Sequence, residues 1–310
     1  MTKLLLFGAG TPSGAALMAA AGARPVIAVG RRPPRLPVGL AEGSGFLGAD
    51  LTRPGDFQPS EGDQRWISFA PIWHLAPFLA TLRQEHPERV QELRGLVACS
   101  SSSALTKRYA TNAFDRDLVR RLRHSEESLR QTCQALGIPC RILAPTLIYG
   151  AAGGYGDRNL SLLLNLMRRL PLLPIPARSG LRQPIHARQL AAVALWVSDR
   201  LERGDPGAEI PGILAIGGDE SLSYTAMLER LRQAAPAEDR ARRCRFVPLP
   251  PRLLLWLAHP LLLLSPKSFE AMQRTQADLA DFLPAHRLLG EDPQPFPVHP
   301  LALGSDPVGE

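Results

Sequence analysis

The sequence predicts an α/β protein, a doubly wound parallel sheet with a smaller C-terminal α/β region. Three observations predict it. The short apolar run Leu4–Phe7 enters a glycine-rich turn, Gly8-Ala9-Gly10-Thr11-Pro12-Ser13-Gly14, and leaves it as an Ala/Leu-rich segment, the strand, loop and helix order of a phosphate-binding βα unit. A second apolar run, Pro25–Gly30, leads directly into Arg31-Arg32. A later one, Leu93–Cys99, delivers Ser100-Ser101-Ser102-Ser103 to the carboxyl edge of the sheet, where doubly wound folds bind ligands.

The 310 residues divide on this reading into a dinucleotide-binding core at 1–150, a region at 151–303 that completes the core and forms a substrate subdomain, and a flexible tail at 304–310. No stretch reaches the roughly 18 apolar residues of a membrane span. The first strand follows the N-terminus with no basic region or cleavage site, so the expectation is a cytoplasmic protein. Cys99, Cys133, Cys140 and Cys244 lack metal-ligand spacing, and no metal is expected. The formal charge of +7 is carried mainly by arginine, which suits a phosphate-bearing small-molecule substrate and an anionic cofactor. Nucleic acid is not expected as a partner, because no zinc-finger spacing, recognition helix or aromatic-rich basic stripe accompanies the charge. A homo-oligomer is left open.

Taken in order, the elements justify the fold class. Gly8 and Gly10 let the backbone approach a pyrophosphate, Gly14 lets the helix pack tightly on the strand, and Ser13 adds a hydroxyl donor at a helix N-terminus. An ordinary glycine-rich turn is the competing reading. The opening resembles the extended branch of the short-chain dehydrogenase/reductase superfamily, the sugar-nucleotide epimerases, dehydratases and reductases, where G-A-x-G-x-x-G follows the first strand of a Rossmann fold. The last gap is one residue longer than in the G-x-G-x-x-G form, and it is this spacing that carries the resemblance, with Thr11 where the branch's middle glycine is usual, which brings Thr11 and Pro12 into the expected cofactor-binding set.

After the second strand no acidic residue stands ready for ribose hydroxyls. Arg31 and Arg32 suit a 2′-phosphate instead, so NADP(H) is favoured over NAD(H). Pro33–Pro37 predicts an irregular connection rather than a helix. Asp50-Leu51 resembles the superfamily's Asp-Leu pair near the adenine, with a plain turn aspartate as the other reading. Arg65–Pro71 reads as a fourth strand that ends in Ala70 and Pro71, where the family's backbone passes close to the cofactor. Trp73 and His74 follow, and the apolar spacing of Phe78–Val90 predicts a helix.

Extended reductases place a serine after the fifth strand and a Tyr-x-x-x-Lys pair on the next helix. The tyrosine moves the substrate proton and the lysine lowers its pKa. That pair is absent, because Tyr109, Tyr149, Tyr155 and Tyr224 have Ala113, Gly153, Asn159 and Leu228 four residues on. Aligned on Glu126-Glu127, the helix around Asp115–Leu129 offers Leu118 and Leu122 at the two positions. Ser100–Lys107 resembles the Ser-Ser-x-Ser-x-x-Thr-Lys of a group of epimerase/dehydratase-like proteins. The resemblance implies Ser101 or Ser102 as hydrogen-bond donor to the reacting oxygen and Lys107 as general acid or anion ligand, with Tyr109 a third candidate. A strand-end cap and a solvated loop lysine are the alternative.

Downstream, Ile138–Gly150 resembles the branch's "R-P-T-x-I-Y-G" strand and turn, with Ala144 in place of arginine. This implies Pro145 at the nicotinamide end of the cofactor and Tyr149 toward the substrate. Ser179–His186 resembles the segment before "x-x-D-L-A", with Gln189 for the aspartate, and implies Arg182 as a phosphate ligand and His186 as a substrate neighbour or a packed histidine. Gly156–Leu170 and Gln189–Asp199 predict helices, Gly212–Gly218 a strand, and Ser221–Leu228 resembles a family helix start. The apolar stretch at 253–264 predicts a core or interface helix pair, or a peripheral membrane or lipid contact. The whole implies an NADP(H)-dependent oxidoreductase or epimerase-like protein acting on a sugar nucleotide or lipid-linked sugar. The alternative is a non-catalytic NADP(H)-binding sensor or assembly protein.

Overall fold

The computed structural model describes residues 2–59, 61–107, 113–203, 211–250, 253, 278–299 and 301. Tyr109, the expected tail at 304–310 and, apart from Leu253, the stretch 253–264 lie outside them. In chain order the elements are β1 (Lys3–Phe7), α1 (Pro12–Ala20), β2 (Val26–Gly30), β3 (Gly45–Gly48), β4 (Gln64–Ser68), α2 (Ile72–Glu85), β5 (Leu93–Cys99), α3 (Ser103–Thr106), α4 (Ala113–Ala135), β6 (Cys140–Pro145), β7 (Ile148–Tyr149), β8 (Ala151–Ala152) and β9 (Tyr155–Gly156). They continue with α5 (Asn159–Arg169), β10 (Leu172–Pro176), β11 (Leu181–Arg182), β12 (Ile185–His186), α6 (Ala187–Glu202), β13 (Ile213–Gly217), β14 (Leu222–Ser223), α7 (Tyr224–Ala234), β15 (Arg245–Leu249), β16 (Leu283–Pro284) and α8 (Ala285–Leu289). The chain divides into two interleaved units, one holding residues 1–146, 152–155 and 187–216, the other 147–151, 156–186 and 217–310.

In the first unit seven strands pair in the order β13-β6-β5-β4-β1-β2-β3, all parallel. The chain starts in the middle at β1, builds outward through β2 and β3, then returns to the other side of β1 with β4. That reversal is a topological switch point, and the carboxyl ends of β1 and β4 flank its crevice. β1, β2 and β13 are near-continuous apolar runs because both faces are covered, whereas β4 also buries Gln64, Arg65 and Ser68. α2 packs on α4, and α1 packs on α6. Phe7, Phe57, Trp66 and Phe78 interlock with ring centroids between 5.0 and 6.2 Å apart, and all four are fully buried. Leu4 and Leu6 point to the opposite face of the sheet and are equally buried.

The fourth strand, expected to run to Pro71, ends at Ser68, the helix expected from Gly156 begins at Asn159, and the largest boundary difference lies in α2. The helix predicted over Phe78–Val90 begins six residues earlier, at Ile72, and gives way after Glu85 to a separate 3₁₀ turn at Pro87–Val90. Pro77 lies inside it, a position that removes one backbone donor and normally argues for a helix boundary. Burial of Ile72, Leu75 and Ala76 on the same face as Phe78 and Leu79 offsets that loss. The segment 31–44 carries no helix or strand, as the prolines predict.

The second unit is built from short pairs: β10 with β15 and β7 with β12, both parallel, and β11 with β14, antiparallel. Its core gathers Tyr149, Leu160, Leu164, Met167, Met227, Leu228, Leu231 and Phe296. Carboxylates organise it. Asp157 accepts the N–H of Gly150 and of Leu160, closing the turn into α5. Asp219 accepts those of His286 and Gln294, and Glu220 that of Phe296, which fixes the closing segment.

Candidate dinucleotide site

The glycine turn at the end of β1 is shaped by close approach. Gly8 has φ +80°, and a Cβ on it would stand 2.7 Å from the Ala70 nitrogen. A Cβ on Gly14 would stand 2.3 Å from the Gly8 carbonyl oxygen and 2.7 Å from the Ala9 Cα. Both positions therefore exclude every side chain. Thr11, at the position where the resembling motif has a glycine, is the N-cap of α1, its hydroxyl donating to the Gly8 carbonyl at 2.8 Å and accepting from the Gly14 N–H at 3.1 Å. Pro12 occupies the first helical turn, where its missing N–H costs nothing, and Ser13 is buried behind it.

Beside this turn lies a cleft of about 470 Å³ lined by Gly8, Ala9, Gly10, Val29, Gly30, Arg31, Arg32, Pro34 and Phe46. Arg31 and Arg32 are exposed at its rim, and neither has an acidic neighbour on β2. Phe46 and Pro34 add apolar wall that sequence reasoning did not assign. Asp50 accepts from both the backbone N–H and the hydroxyl of Thr52, and these bonds hold its carboxyl below the usual carboxylate range. It caps a turn there. Leu51 packs half-buried against the core. Ala70 lies against Gly8, and Pro71 opens α2. Trp73 is half-buried under the Arg121 guanidinium, while His74 is exposed.

At the same sheet edge the serine run continues the β5–β6 pairing: Ser100 N–H donates to Leu143 and Ser102 N–H to Pro145, which ties Pro145 to the serines. The Ser101 hydroxyl accepts from the Ser103 N–H, and Ser102 is buried. The Ser100 hydroxyl donates to the carboxylate of Glu126 on α4. Burial pushes the Glu126 pKa up, opposed by that bond and by Arg123. Sequence reasoning used Glu126 only as an alignment anchor, since 26 residues separate it from Ser100. The Lys107 ammonium pairs with the Asp115 carboxylate at 2.8 Å, both side chains being largely buried. Leu118 is packed on the core and Leu122 is 1% exposed, so the two positions of the missing pair belong to the hydrophobic interior.

In the second unit, Tyr149 and His186 are 1% and 0% exposed and pack edge to face with centroids 5.1 Å apart. The Tyr149 hydroxyl accepts the Val298 N–H at 2.9 Å. Gly150, at φ +100°, passes under His186 so closely that a Cβ would stand 2.1 Å from Nε2. Arg182 is buried, its guanidinium 5.5 Å from the Tyr224 ring centroid and donating to the Leu181 carbonyl. The four cysteines are free thiols. Among the described residues no cluster of His, Cys, Asp and Glu could hold a metal ion, and no helix is long and apolar enough to cross a membrane.

No sequence family and no curated protein is matched by this chain. Solved structures match it by fold. A UDP-N-acetylglucosamine 4-epimerase from Bacillus cereus superposes with TM-score 0.56 at 11% identity, over 80% of this chain and 86% of that one. A UDP-glucuronic acid 4-epimerase from Bacillus cereus, in complex with NAD, gives 0.54 at 15%, over 80% and 88%. MoeE5, in complex with UDP-glucose and NAD, gives 0.55 at 15% and spans 94% of both chains.

Proposed function

From a chain that has the fold of the sugar-nucleotide epimerases and dehydratases, we propose an NADP(H)-dependent oxidoreductase or epimerase-like protein whose substrate is a sugar nucleotide or a lipid-linked sugar. One observation carries the reading: the Gly8–Gly14 turn, in which two positions admit no Cβ, opens onto a cleft rimmed by Arg31 and Arg32 with no acid at the end of β2. The turn and the N-terminus of α1 hold a pyrophosphate. Arg31 and Arg32 hold the ribose 2′-phosphate, beside Asp50 and Leu51. Ala70, Pro71 and Pro145 border the nicotinamide half. The nicotinamide, when bound, supplies or accepts a hydride.

The chain's own residues orient the substrate and handle its proton. Ser101 and Ser102 hydrogen-bond the reacting oxygen, and Lys107, held by Asp115, supplies or stabilises charge beside them. Arg182 carries the positive charge for a substrate phosphate, while Tyr149 and His186 hold the turn at Gly150 from beneath. The test is a titration with NADPH and NADH followed by nicotinamide fluorescence, then addition of a nucleotide-sugar panel. Arg31→Ala is expected to weaken NADPH about tenfold or more, one charge-assisted contact, and NADH little. Equal losses for the two cofactors would remove the 2′-phosphate assignment.

The packing of Leu118 on the core, the burial of Leu122 and the pairing of Lys107 also favour a second reading, a non-catalytic NADP(H)-binding sensor or assembly protein. Turnover separates the two. Lys107→Ala is expected to abolish oxidation of NADPH in the presence of substrate while binding persists; binding without oxidation across the whole panel in the unaltered protein moves the assignment to the sensor.

A further inference from the structure

Between Gly150 and Asp157 the chain makes a brief excursion: residues 152–155 belong to the first unit, while their neighbours on both sides belong to the second. This excursion is seated on the cofactor elements at four points. Gly153, at φ +56°, lies so close to the first turn of α1 that a Cβ would stand 2.8 Å from the Ala15 Cβ. The Tyr155 ring rests on the glycine turn, 3.7 Å from where a Gly10 Cβ would be. The Tyr155 hydroxyl accepts the Arg35 N–H at 3.1 Å. The Arg35 guanidinium crosses Gly154, at φ +81°, with Nη1 2.3 Å from the place a Cβ would take.

The loop that follows β2 has no regular structure of its own to set its position. It carries Arg31, Arg32 and Arg35, all exposed. The Tyr155 hydroxyl gives it a fixed point, and the same ring is stacked on the turn that receives the pyrophosphate. Two parts of one ligand, its pyrophosphate and its ribose phosphate, must be met at a set separation, and an irregular loop of arginines and prolines cannot set it alone.

We propose that Tyr155, seated on Gly10 and bonded to the Arg35 backbone, is a specificity-determining positioning residue that holds the 31–35 arginine loop at the distance from the glycine turn required by a dinucleotide with a phosphorylated adenosine ribose. The inference rests on the NADP(H) reading above. It assigns no chemistry to the phenol, which acts through the loop.

The full-length protein, its Tyr155→Phe variant and its Arg31→Ala variant are each titrated with NADPH and with NADH. Tyr155→Phe keeps the ring on Gly10 and removes only the hydroxyl, and far-ultraviolet circular dichroism checks that the fold persists. The expected result is an affinity for NADPH reduced about fivefold, the worth of one hydrogen bond, with NADH changed less than about twofold. A purely structural role would lower both affinities together, and that outcome overturns the proposal. If Arg31→Ala lowers the NADPH to NADH preference and Tyr155→Phe does not, the positioning role of Tyr155 falls and the NADP(H) reading stands. If neither variant changes the preference, the NADP(H) reading falls and the proposal with it.

Discussion

Thr11 replaces a glycine and strengthens the turn that glycine would have loosened. Its hydroxyl satisfies one of the orphan N–H groups at the start of α1 and grips the Gly8 carbonyl in return. Thr11→Ala is expected to lower stability by about 1 kcal/mol, and Thr11→Gly by only a few tenths, measured by urea denaturation. A larger loss for glycine than for alanine would contradict the capping account. At Gly14 no such latitude exists, because the atoms a Cβ would meet are backbone. Gly14→Ala should abolish dinucleotide binding, and retained NADPH affinity would show that the turn can relax. Both positions were legible from the glycine spacing. The Ser100–Glu126 bond was not, because nothing in sequence separation reports which helix turn faces a strand end.

At the level of elements, α4 shows what occupies the two positions where the sequence resemblance expects tyrosine and lysine. Its face toward the sheet buries Val119, Leu122, Leu129 and Cys133, so a lysine at Leu122 would carry its charge into hydrocarbon. Leu122→Lys should therefore destabilise the protein by more than about 3 kcal/mol and add no turnover. A stable variant with gained turnover would mean that the helix can rotate its face. On the sheet's same face, Trp66→Ala leaves Phe7, Phe57 and Phe78 around a void and should cost about 3–5 kcal/mol by chemical denaturation. These strands were readable as apolar runs. The start of α2 was not, because Pro77 signals a boundary locally and only burial on both sides of it overrides that signal.

For the molecule as a whole, two buried carboxyls set part of the pH dependence. Burial raises the pKa of both Glu126 and Asp157 against the hydrogen bonds that favour their charged forms. The folded state thus keeps each proton to a higher pH than the unfolded chain, whose values are about 4.3 for Glu and 3.9 for Asp. Stability is lost as pH rises from those values through the raised ones. Asp239, lowered by its hydrogen bonds with Arg168, acts in the opposite sense: its contribution is present above the unfolded value and is lost as pH falls through the folded one. Glu126→Gln should remove one share of the loss, so the melting temperature of the variant should gain on the parent's as pH rises above the unfolded value of about 4.3. A constant difference across that range would mean that Glu126 titrates alike folded and unfolded. By itself the sequence determined the sheet, the glycine turn and the arginines after β2, because strand burial, close backbone approach and local charge are written in adjacent residues. Only the tertiary structure decided that Lys107 meets Asp115, that Glu126 meets Ser100, and that Tyr155 returns over Gly10 from another part of the chain. Each of these depends on elements brought together by burial of their apolar faces, and burial acts on the fold as a unit rather than on any local stretch.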